Sequence, residues 1–412
     1  MPLSVANACG ASPGAFACIR ILGMAEEKKN TGRLVWLLAV CCFVLGSSQQ
    51  YIMGVPDQVA ATLGVPLGQV SLLMTAFGLV NAFLSPVVVV VTAKYPVRVQ
   101  LLAGLGFIAA GVAITAFADS FVLQLFARGI MGMGNGAFVA TAYSAAQGLA
   151  APGRQASAMA DVALGFSASA VLAMPIARAL HDIIHWQSAY IVLLAFALVA
   201  FVVIARVFPP SPAETESVSI KERLSPLANK SVLMAYAAIA LFFVAYSGFY
   251  TYVTPFIEAT IPQFASNSSV VLFALGVMSL FGTKGCGWLA DRFGMRVAAT
   301  ASIAGMICGL LLIFATEGAG IAAVCALCFF QLMSWMLVPV QNTLLASVAG
   351  DGARMAISLS SSFLQLGNAG GAALAGIAVS TMPYGNLPLI ALPFAVLAFV
   401  FEMAVFKAAQ RK

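Results

Sequence analysis

Apolar stretches of about 20 residues, bounded by charged residues or by glycine and proline, follow one another along nearly the whole chain. A stretch of that length crosses a bilayer as an α-helix, whereas a transmembrane β-strand needs only about 10 residues of alternating polarity. Of the 412 residues, 62% are hydrophobic and 8% are charged, compared with about a quarter charged in soluble domains. The sequence therefore predicts an all-α membrane protein and excludes soluble enzymes and nucleic-acid-binding folds.

The apolar stretches form two sets of six, separated by one long polar segment. The predicted spans cover residues 34–56, 67–92, 99–118, 121–147, 156–180 and 188–207, and then 231–256, 269–289, 296–316, 319–345, 354–380 and 386–407. We expect about twelve transmembrane helices in two pseudo-symmetric six-helix bundles, residues 34–207 and 231–412, joined by a cytoplasmic linker at 208–230. Residues 1–33 are expected to form a cytoplasmic tail. Part of this tail can stem from a misassigned start codon, because Met24 opens a typical cytoplasmic N-terminus.

Lysine and arginine residues mark one side of the predicted bundle. They lie in the tail, the linker, the C-terminal end and the loops near Lys94, Arg154 and Lys284. Neither residue type occurs in the opposite loops, around Gly64, Asp119, Pro262, Gly318 and Pro383. Because cytoplasmic loops carry the excess of positive residues, both termini are expected in the cytoplasm, with the chain in the cytoplasmic (inner) membrane of a bacterium. The net charge of +6 follows from this orientation, since the basic residues form no nucleic-acid-binding patch.

An arginine stands inside the fourth predicted span. An unpaired charge at the position of Arg128 costs about 2.5–3.5 kcal/mol on insertion scales, so Arg128 must face a partner or a polar interior. Small residues at four-residue spacing let membrane helices pack closely. Two spans contain such a series: Gly132, Gly136, Ala140 and Ser144, and then Gly165, Ser169, Ala173 and Ala177.

The order of motifs resembles the major facilitator superfamily, and within it the twelve-helix bacterial branch of drug:proton antiporters that export drugs, sugars and nucleosides. The resemblance covers nearly the whole chain from Leu34 and rests on residues 54–56, 128–138, 250–255, 287–296 and 367–371. It implies a secondary active transporter that moves a small organic solute by proton-coupled efflux and alternating access. A functional monomer in membrane lipid is expected, with no cofactor, no metal and no enzymatic activity. Gating roles are implied for Gly287, Asp291, Arg292 and Arg296.

Three departures from the family pattern bear on proton coupling. Ala93 and Lys94 replace an Asp-Arg pair, Gln49 stands where the first span often has an acid, and Ala173 and Ala177 occupy glycine positions. Glutamine cannot take up a proton near neutral pH. The alternatives are therefore an uncoupled facilitator or uptake carrier and, from another class, a non-transporting membrane sensor. ATP is not the energy source within this chain, because it has no GxxxxGK[ST] loop.

The acid that binds the proton is then expected elsewhere. Asp57, near the outer end of the first span, is the first candidate, because the first and fourth spans adjoin in this fold and Arg128 is expected at a similar depth. Such a pair favours the charged form of Asp57 until the two groups separate. Asp161 and Glu258 are the other candidates.

Amide and aromatic side chains within the spans are the candidate solute contacts, because a polar group inside a membrane usually faces a cavity or another helix. They are Gln49, Gln50, Asn81, Asn135, Tyr246, Tyr250, Tyr252, Gln331, Trp335, Gln341, Gln365 and Asn368. With few acids in the core, a neutral or amphipathic solute is favoured over a multivalent cation. The pairs His181/His185 and Cys325/Cys328 have the spacing of metal ligands but lack a third ligand, so no metal site is predicted.

The lysine and arginine distribution makes a testable topology prediction. A cysteine at Ser268 should react with a membrane-impermeant maleimide from outside intact cells, and a cysteine at Ser217 only after the inner side is opened. The reverse accessibility would overturn the orientation.

Overall fold

The computed structural model describes residues 13–150, 154–208, 225–349 and 352–409, with side chains from Gly32 onward. Within these ranges the chain is helical and has no β-strand. Most of the expected linker, including Ser217, lies outside the described residues. The all-α prediction is confirmed.

The first half consists of seven helices, of which the first two form one interrupted span. Their bounds are α1 Pro13–Gly54, α2 Pro56–Leu63, α3 Leu67–Thr92, α4 Val97–Phe117, α5 Phe121–Leu149, α6 Gln155–Ala179 and α7 Trp186–Val207. Helix α1 begins well upstream of the predicted start at Leu34, and its apolar part begins at Gly32. The expected tail is therefore partly helical.

The second half repeats this plan with two interrupted spans. Its helices are α8 Lys230–Tyr250, α9 Val253–Thr260, α10 Ser268–Phe293, α11 Met295–Ala315, α12 Ile321–Trp335, α13 Leu337–Ala349, α14 Ala353–Thr381 and α15 Leu387–Ala409. The seventh span is α8 with α9, and the tenth is α12 with α13. Apart from α1, the bounds agree with the predicted ranges to within a few residues.

Eleven helical segments of the described chain are long and apolar enough to cross a membrane. Helix α5 is not among them, because Gln124, Arg128, Asn135 and several glycines lower its hydropathy. It is nevertheless 29 residues long, exceeds the roughly 20 residues that a span requires, and packs along α3 and α4. We therefore count α5 as the twelfth span.

Three spans are interrupted next to a proline. The breaks fall at Val55 before Pro56, at residues 251–252 before Pro255, and at Met336 before Pro339. Proline lacks an amide donor and its ring clashes with the preceding turn, so a continuous helix is disfavoured there. Interrupted helices in transporters often lie beside the binding site, which directs attention to these three spans.

Both predicted series of small residues are confirmed as packing surfaces. Gly132 of α5 approaches the backbone of Phe77 on α3, and Gly165 of α6 approaches the backbone of Ala39 on α1. A Cβ atom at either glycine would overlap a backbone carbonyl oxygen. Close backbone contact therefore holds the spans of the first half together, as expected where lipid supplies no hydrophobic driving force.

The two halves meet through α3 with α14 and through α6 with α10. Gly68 faces Gly376 across the first contact, and Gly276 faces Val171 across the second. Lys94, Lys230, Lys284 and Lys407 all fall at one end of the bundle, which we call the lysine-bearing side; the described residues of the opposite end, the lysine-free side, contain no lysine. The glycine contacts lie between the lysine-free side and the middle of the spans.

The labelling site chosen from the sequence at Ser268 needs correction. Ser268 is only 2% exposed, because it lies in the contact between the halves and its hydroxyl bonds to Glu258 at 2.9 Å. Ser266 is exposed in the same loop and is the suitable reporter for the topology test. Ser268 instead reports whether this contact is open or closed.

Replacing Gly276 should therefore open the lysine-free side. A Cβ at this position would lie 2.6 Å from the Cα of Val171, so Gly276→Val should separate the halves there and raise the maleimide reactivity of a cysteine at Ser268 several-fold. Gly285→Val is the matched control on the same helix, since nothing lies within 4 Å of a Cβ at Gly285. Equal reactivity in the two variants would contradict this interpretation of the contact.

Candidate transport site and gates

A cluster of charged side chains joins the halves at the lysine-free side. Arg178, in the last turn of α6, donates to Asp57 of α2 at 3.3 Å and pairs with Glu258 of α9. Its Nε also donates to Ser268 at 3.3 Å, and His181 Nε2 lies 2.9 Å from Asp57. We call these five residues the Arg178 cluster. Asp57, Arg178 and His181 belong to the first half, whereas Glu258 and Ser268 belong to the second.

The Arg178 cluster is partly shielded from solvent. The side chain of Arg178 is 16% exposed and that of Glu258 is 24% exposed, so their attraction is screened less than that of an exposed surface pair. Glu258 lies on α9, the outer segment of the seventh span. One guanidinium thus bridges two carboxylates from different halves.

Backbone-directed hydrogen bonds reinforce the closed lysine-free side. The Tyr252 hydroxyl, at the break between α8 and α9, donates to the carbonyl of Leu67 at 2.8 Å and accepts from the amide of Ser71 at 3.2 Å. The Thr254 hydroxyl donates to the carbonyl of Met53 at 3.0 Å. Tyr252 was predicted as a solute contact, but it is 1% exposed and joins the halves in this conformation.

Arg128 is fully buried and has partners other than the one expected. It donates to the backbone oxygen of Ser48 at 2.9 Å and to the hydroxyl of Tyr190 at 2.6 Å, with its guanidinium 5.4 Å from the centre of the Tyr190 ring. The predicted Arg128–Asp57 pair is not formed. The pair does not form because the two residues lie at different depths in the membrane. Arg128 is bonded to Ser48, and Ser48 is separated from Asp57 by about 13 Å of helical rise. Arg128 instead joins α5 to α1 and α7.

Four predicted solute contacts of the second half come together beside the break in the tenth span. Tyr246 stacks on Tyr250 with ring centroids 5.0 Å apart. The Tyr246 hydroxyl lies 3.3 Å from Gln331 Nε2 and accepts from Trp335 Nε1 at 3.3 Å. The Phe330 ring also stacks with the Tyr246 ring, with centroids 5.9 Å apart. We call Tyr246, Tyr250, Phe330, Gln331 and Trp335 the aromatic–amide cluster.

The remaining candidates are divided between the halves. Asn135 Oδ1 and Gln49 Oε1 are buried without a hydrogen-bond partner among the described residues, and Gln50 is half-buried on the same helix as Gln49. Asn81, on α3, is buried beside Gly136. In the second half, Asn368 donates to Gln365 at 3.2 Å. Orphan amide oxygens inside a membrane are costly, so Gln49 and Asn135 are suited to accept bonds from a solute.

The loop motif after α10 is exposed at the lysine-bearing side. Gly287, Asp291, Arg292 and Arg296 are all exposed, and Gly294 forms the tight turn with φ +90°. Gly287 does not approach another helix closely, because nothing lies within 4 Å of a Cβ built there. Among the described side chains Asp291 forms no ion pair, and Arg292 lies over the Trp288 ring at 5.7 Å. This side of the protein is not closed by the motif in this conformation.

The other candidate groups have separate partners. His181 bonds Asp57 and Asp182, whereas His185 lies 3.3 Å from Thr62, so the two imidazoles do not converge. Asp161 is half-buried on α6. Two residues of interest were not predicted from the sequence. Arg178 is the one arginine at the lysine-free end among the described residues, and Glu402 interrupts the last apolar stretch.

Interrupted spans, a polar site within each half, and contact between the halves at one end define a polytopic membrane transporter. Residues 36–372 match the family profile described as the Major Facilitator Superfamily. The chain belongs to this superfamily, whose members are membrane transporters of small solutes. The predicted family is confirmed.

Individual relatives agree with this assignment. The uncharacterised MFS-type transporter YbcL of Bacillus subtilis (strain 168) is 27% identical over 372 residues, covering 90% of this chain and 95% of the relative. A bacterial homolog of the human lysosomal transporter Spinster, in an inward-facing and unoccupied conformation, has a TM-score of 0.76 at 14% identity, covering 92% of this chain and 97% of that one. The nucleoside transporter NupG has a TM-score of 0.72 at 13% identity, covering 90% of this chain and 100% of that one. The structural likenesses establish the fold alone.

Proposed function

We propose that the chain is a secondary active transporter that exports a small organic solute across a bacterial cytoplasmic membrane by alternating access, driven by inward proton movement. In this proposal the lysine-bearing side faces the cytoplasm, both termini are cytoplasmic, and one chain forms the transport unit. Positive residues on that side support the orientation.

The one-sided contact between the halves carries the proposal. Most hydrogen bonds between the halves lie at the lysine-free side, and the Arg178 cluster is the charged part of that contact. One more, from the Thr75 hydroxyl of α3 to the carbonyl of Ala369 on α14 at 3.1 Å, lies nearer the middle of the spans. The exposed loop motif at the opposite side has no partner from the first half among the described ion pairs. This arrangement is that of a transporter closed to the outside and open to the cytoplasm. Rocking of the halves would break the first contact and form the second.

The solute is proposed to bind between the aromatic–amide cluster of the second half and the orphan amides Gln49 and Asn135 of the first half. Stacked rings bind planar or apolar groups, and amide oxygens accept hydrogen bonds from hydroxyl or amine groups. A nucleoside, a sugar or an aromatic drug has both features. A nucleoside transporter and a fucose:proton symporter are among the proteins with the same fold.

Proton coupling is proposed to act through Asp57 at the outer side. Arg178, rather than Arg128, is the cation that pairs with Asp57 while the Arg178 cluster is closed. Protonation from outside removes one of the two carboxylates that Arg178 bridges and so favours opening. Arg128 is proposed to keep α1, α5 and α7 together during this cycle, through its bonds to Ser48 and Tyr190. Asp291 is proposed to act at the inner gate.

The alternative is an uncoupled facilitator or uptake carrier. Gln49 favours it, because the first span lacks the acid that the family often has there, and Asp57 is too far from the middle of the membrane to exchange a proton with the solute site directly. Solute flux in proteoliposomes, measured with and without a pH gradient, separates the two functions. Accumulation that follows the gradient supports coupling, and flux that only follows the solute gradient supports the facilitator.

Two variants test the proposed roles in the same assay. Asp57→Asn should abolish the response to the pH gradient, because the amide cannot titrate, and should retain at least half of the downhill exchange. Arg128→Ala should reduce both by about tenfold or more, because it removes two buried hydrogen bonds that join three spans and leaves their partners unpaired. Full pH-driven transport by Asp57→Asn would place the proton site elsewhere.

A further inference from the structure

Glu402 is a buried acid in the last span that the proposed function does not use. It lies on α15 with 0% exposure, about 7 Å of helical rise from Lys407 at the inner end. Ion pairs among the described residues all involve Arg178 or His181, so Glu402 has no cation within ion-pair distance there. A bare carboxylate at such a site has a desolvation cost that no described charge offsets.

The hydrogen bonds around Glu402 point to a bound proton. Gln341 of α13 donates from Nε2 to Glu402 Oε2 at 2.6 Å. The remaining oxygens of this pair, Gln341 Oε1 and Glu402 Oε1, are both buried acceptors without a donor. A single proton on Glu402 supplies the missing donor, because a carboxylic acid and a primary amide can exchange two hydrogen bonds, O–H to the amide oxygen and N–H to the acid oxygen. A carboxylate leaves both acceptors unsatisfied.

Among the described side chains, no charged group of the neighbouring helices offers another explanation. At the depth of Glu402, α8 presents Tyr236, whose hydroxyl donates to the carbonyl of Ala356 at 2.9 Å. From α11, Ser302 donates to the carbonyl of Met333, and α13 has no titratable residue. The cations of these helices are exposed at the inner end: Lys230, Arg296 and Lys407. Arg354, on α14, lies outside the described side chains.

We propose that Glu402 is a proton-binding site whose bound proton is held by Gln341 in this conformation. Gln341 belongs to α13, the segment that follows the break in the tenth span at Met336, and the same span contributes Gln331 and Trp335 to the aromatic–amide cluster on the other side of the break. A movement of α13 relative to α15 therefore separates Gln341 from Glu402 and exposes the acid to water, which favours release of the proton. This inference deepens the proposed function and rests on it for the link between the proton and transport.

Infrared difference spectroscopy of the purified full-length protein tests proton binding without a solute. At pH 7 the wild type should show the C=O stretch of a protonated carboxyl group, and Glu402→Gln should lose an intensity equal to one carboxyl per chain. Glu317→Gln, which changes an exposed acid in the loop after α11, is the control and should retain the band. An unchanged band in Glu402→Gln would mean that Glu402 is ionised and would overturn the proposal.

A second variant keeps the test valid if Glu402→Gln folds poorly. Gln341→Leu leaves the acid in place and removes its amide donor, so the band should move to higher frequency; a band at the wild-type position would overturn the pairing. In proteoliposomes Glu402→Gln should lose the response to a pH gradient and keep solute exchange. If the wild type shows no transport at all, the proposed function fails, whereas the infrared band still decides whether Glu402 binds a proton.

Discussion

The contact between the two six-helix halves determines what this molecule can do. It is built from close backbone approach at Gly68, Gly376 and Gly276 and from hydrogen bonds to backbone carbonyls, with the Arg178 cluster at its outer edge. Glycine contacts give van der Waals attraction without a side chain that must be removed when the halves separate. Partly exposed ion pairs contribute only about 1 kcal/mol or less each. Such a contact is specific and can still open within a transport cycle.

Lipid imposes the second constraint, because each polar group inside the bundle needs a partner. Arg128 donates to a backbone carbonyl and a tyrosine hydroxyl, which keeps the charge away from lipid and fixes three spans relative to one another, while its Nε has no partner among the described residues. The groups left without partners are therefore informative. Gln49 and Asn135 in the first half, and the Gln341–Glu402 pair in the second, are the places where a solute or a proton can supply the missing bond.

Much of the fold follows from local sequence rules. Apolar length gives the spans, each of the three breaks is followed by a proline, and small residues at four-residue spacing give the packing faces of α5 and α6. The spacing of Tyr246 and Tyr250, one helical turn apart, placed both on one face of α8, and they are stacked in the structure. The spans, their breaks, the packing faces and this stacked pair all depend on residues that are close together in the sequence.

Pairings between distant residues could not be predicted in the same way. Asp57 was assigned to Arg128 because their spans adjoin, but the helix break at Val55 and the difference in depth bring Asp57 to Arg178 and His181 instead. Ser268 seemed to lie in an open loop and is buried by a partner from the other half. The first error concerns depth within the first half, which neighbours in the sequence do not determine. The second concerns which surfaces of the two halves meet, and this depends on the conformational state.

The most direct test measures both ends of the bundle in the same protein. Spin labels at Ser120 and Ser266 report the distance between the halves at the lysine-free side, and labels at Lys94 and Val297 report the lysine-bearing side; all four residues are exposed. Breaking the Arg178 cluster with Arg178→Gln should lengthen the first distance and shorten the second in the same fraction of molecules. Lengthening of the first distance with no change in the second would contradict alternating access, because the two contacts would then be independent.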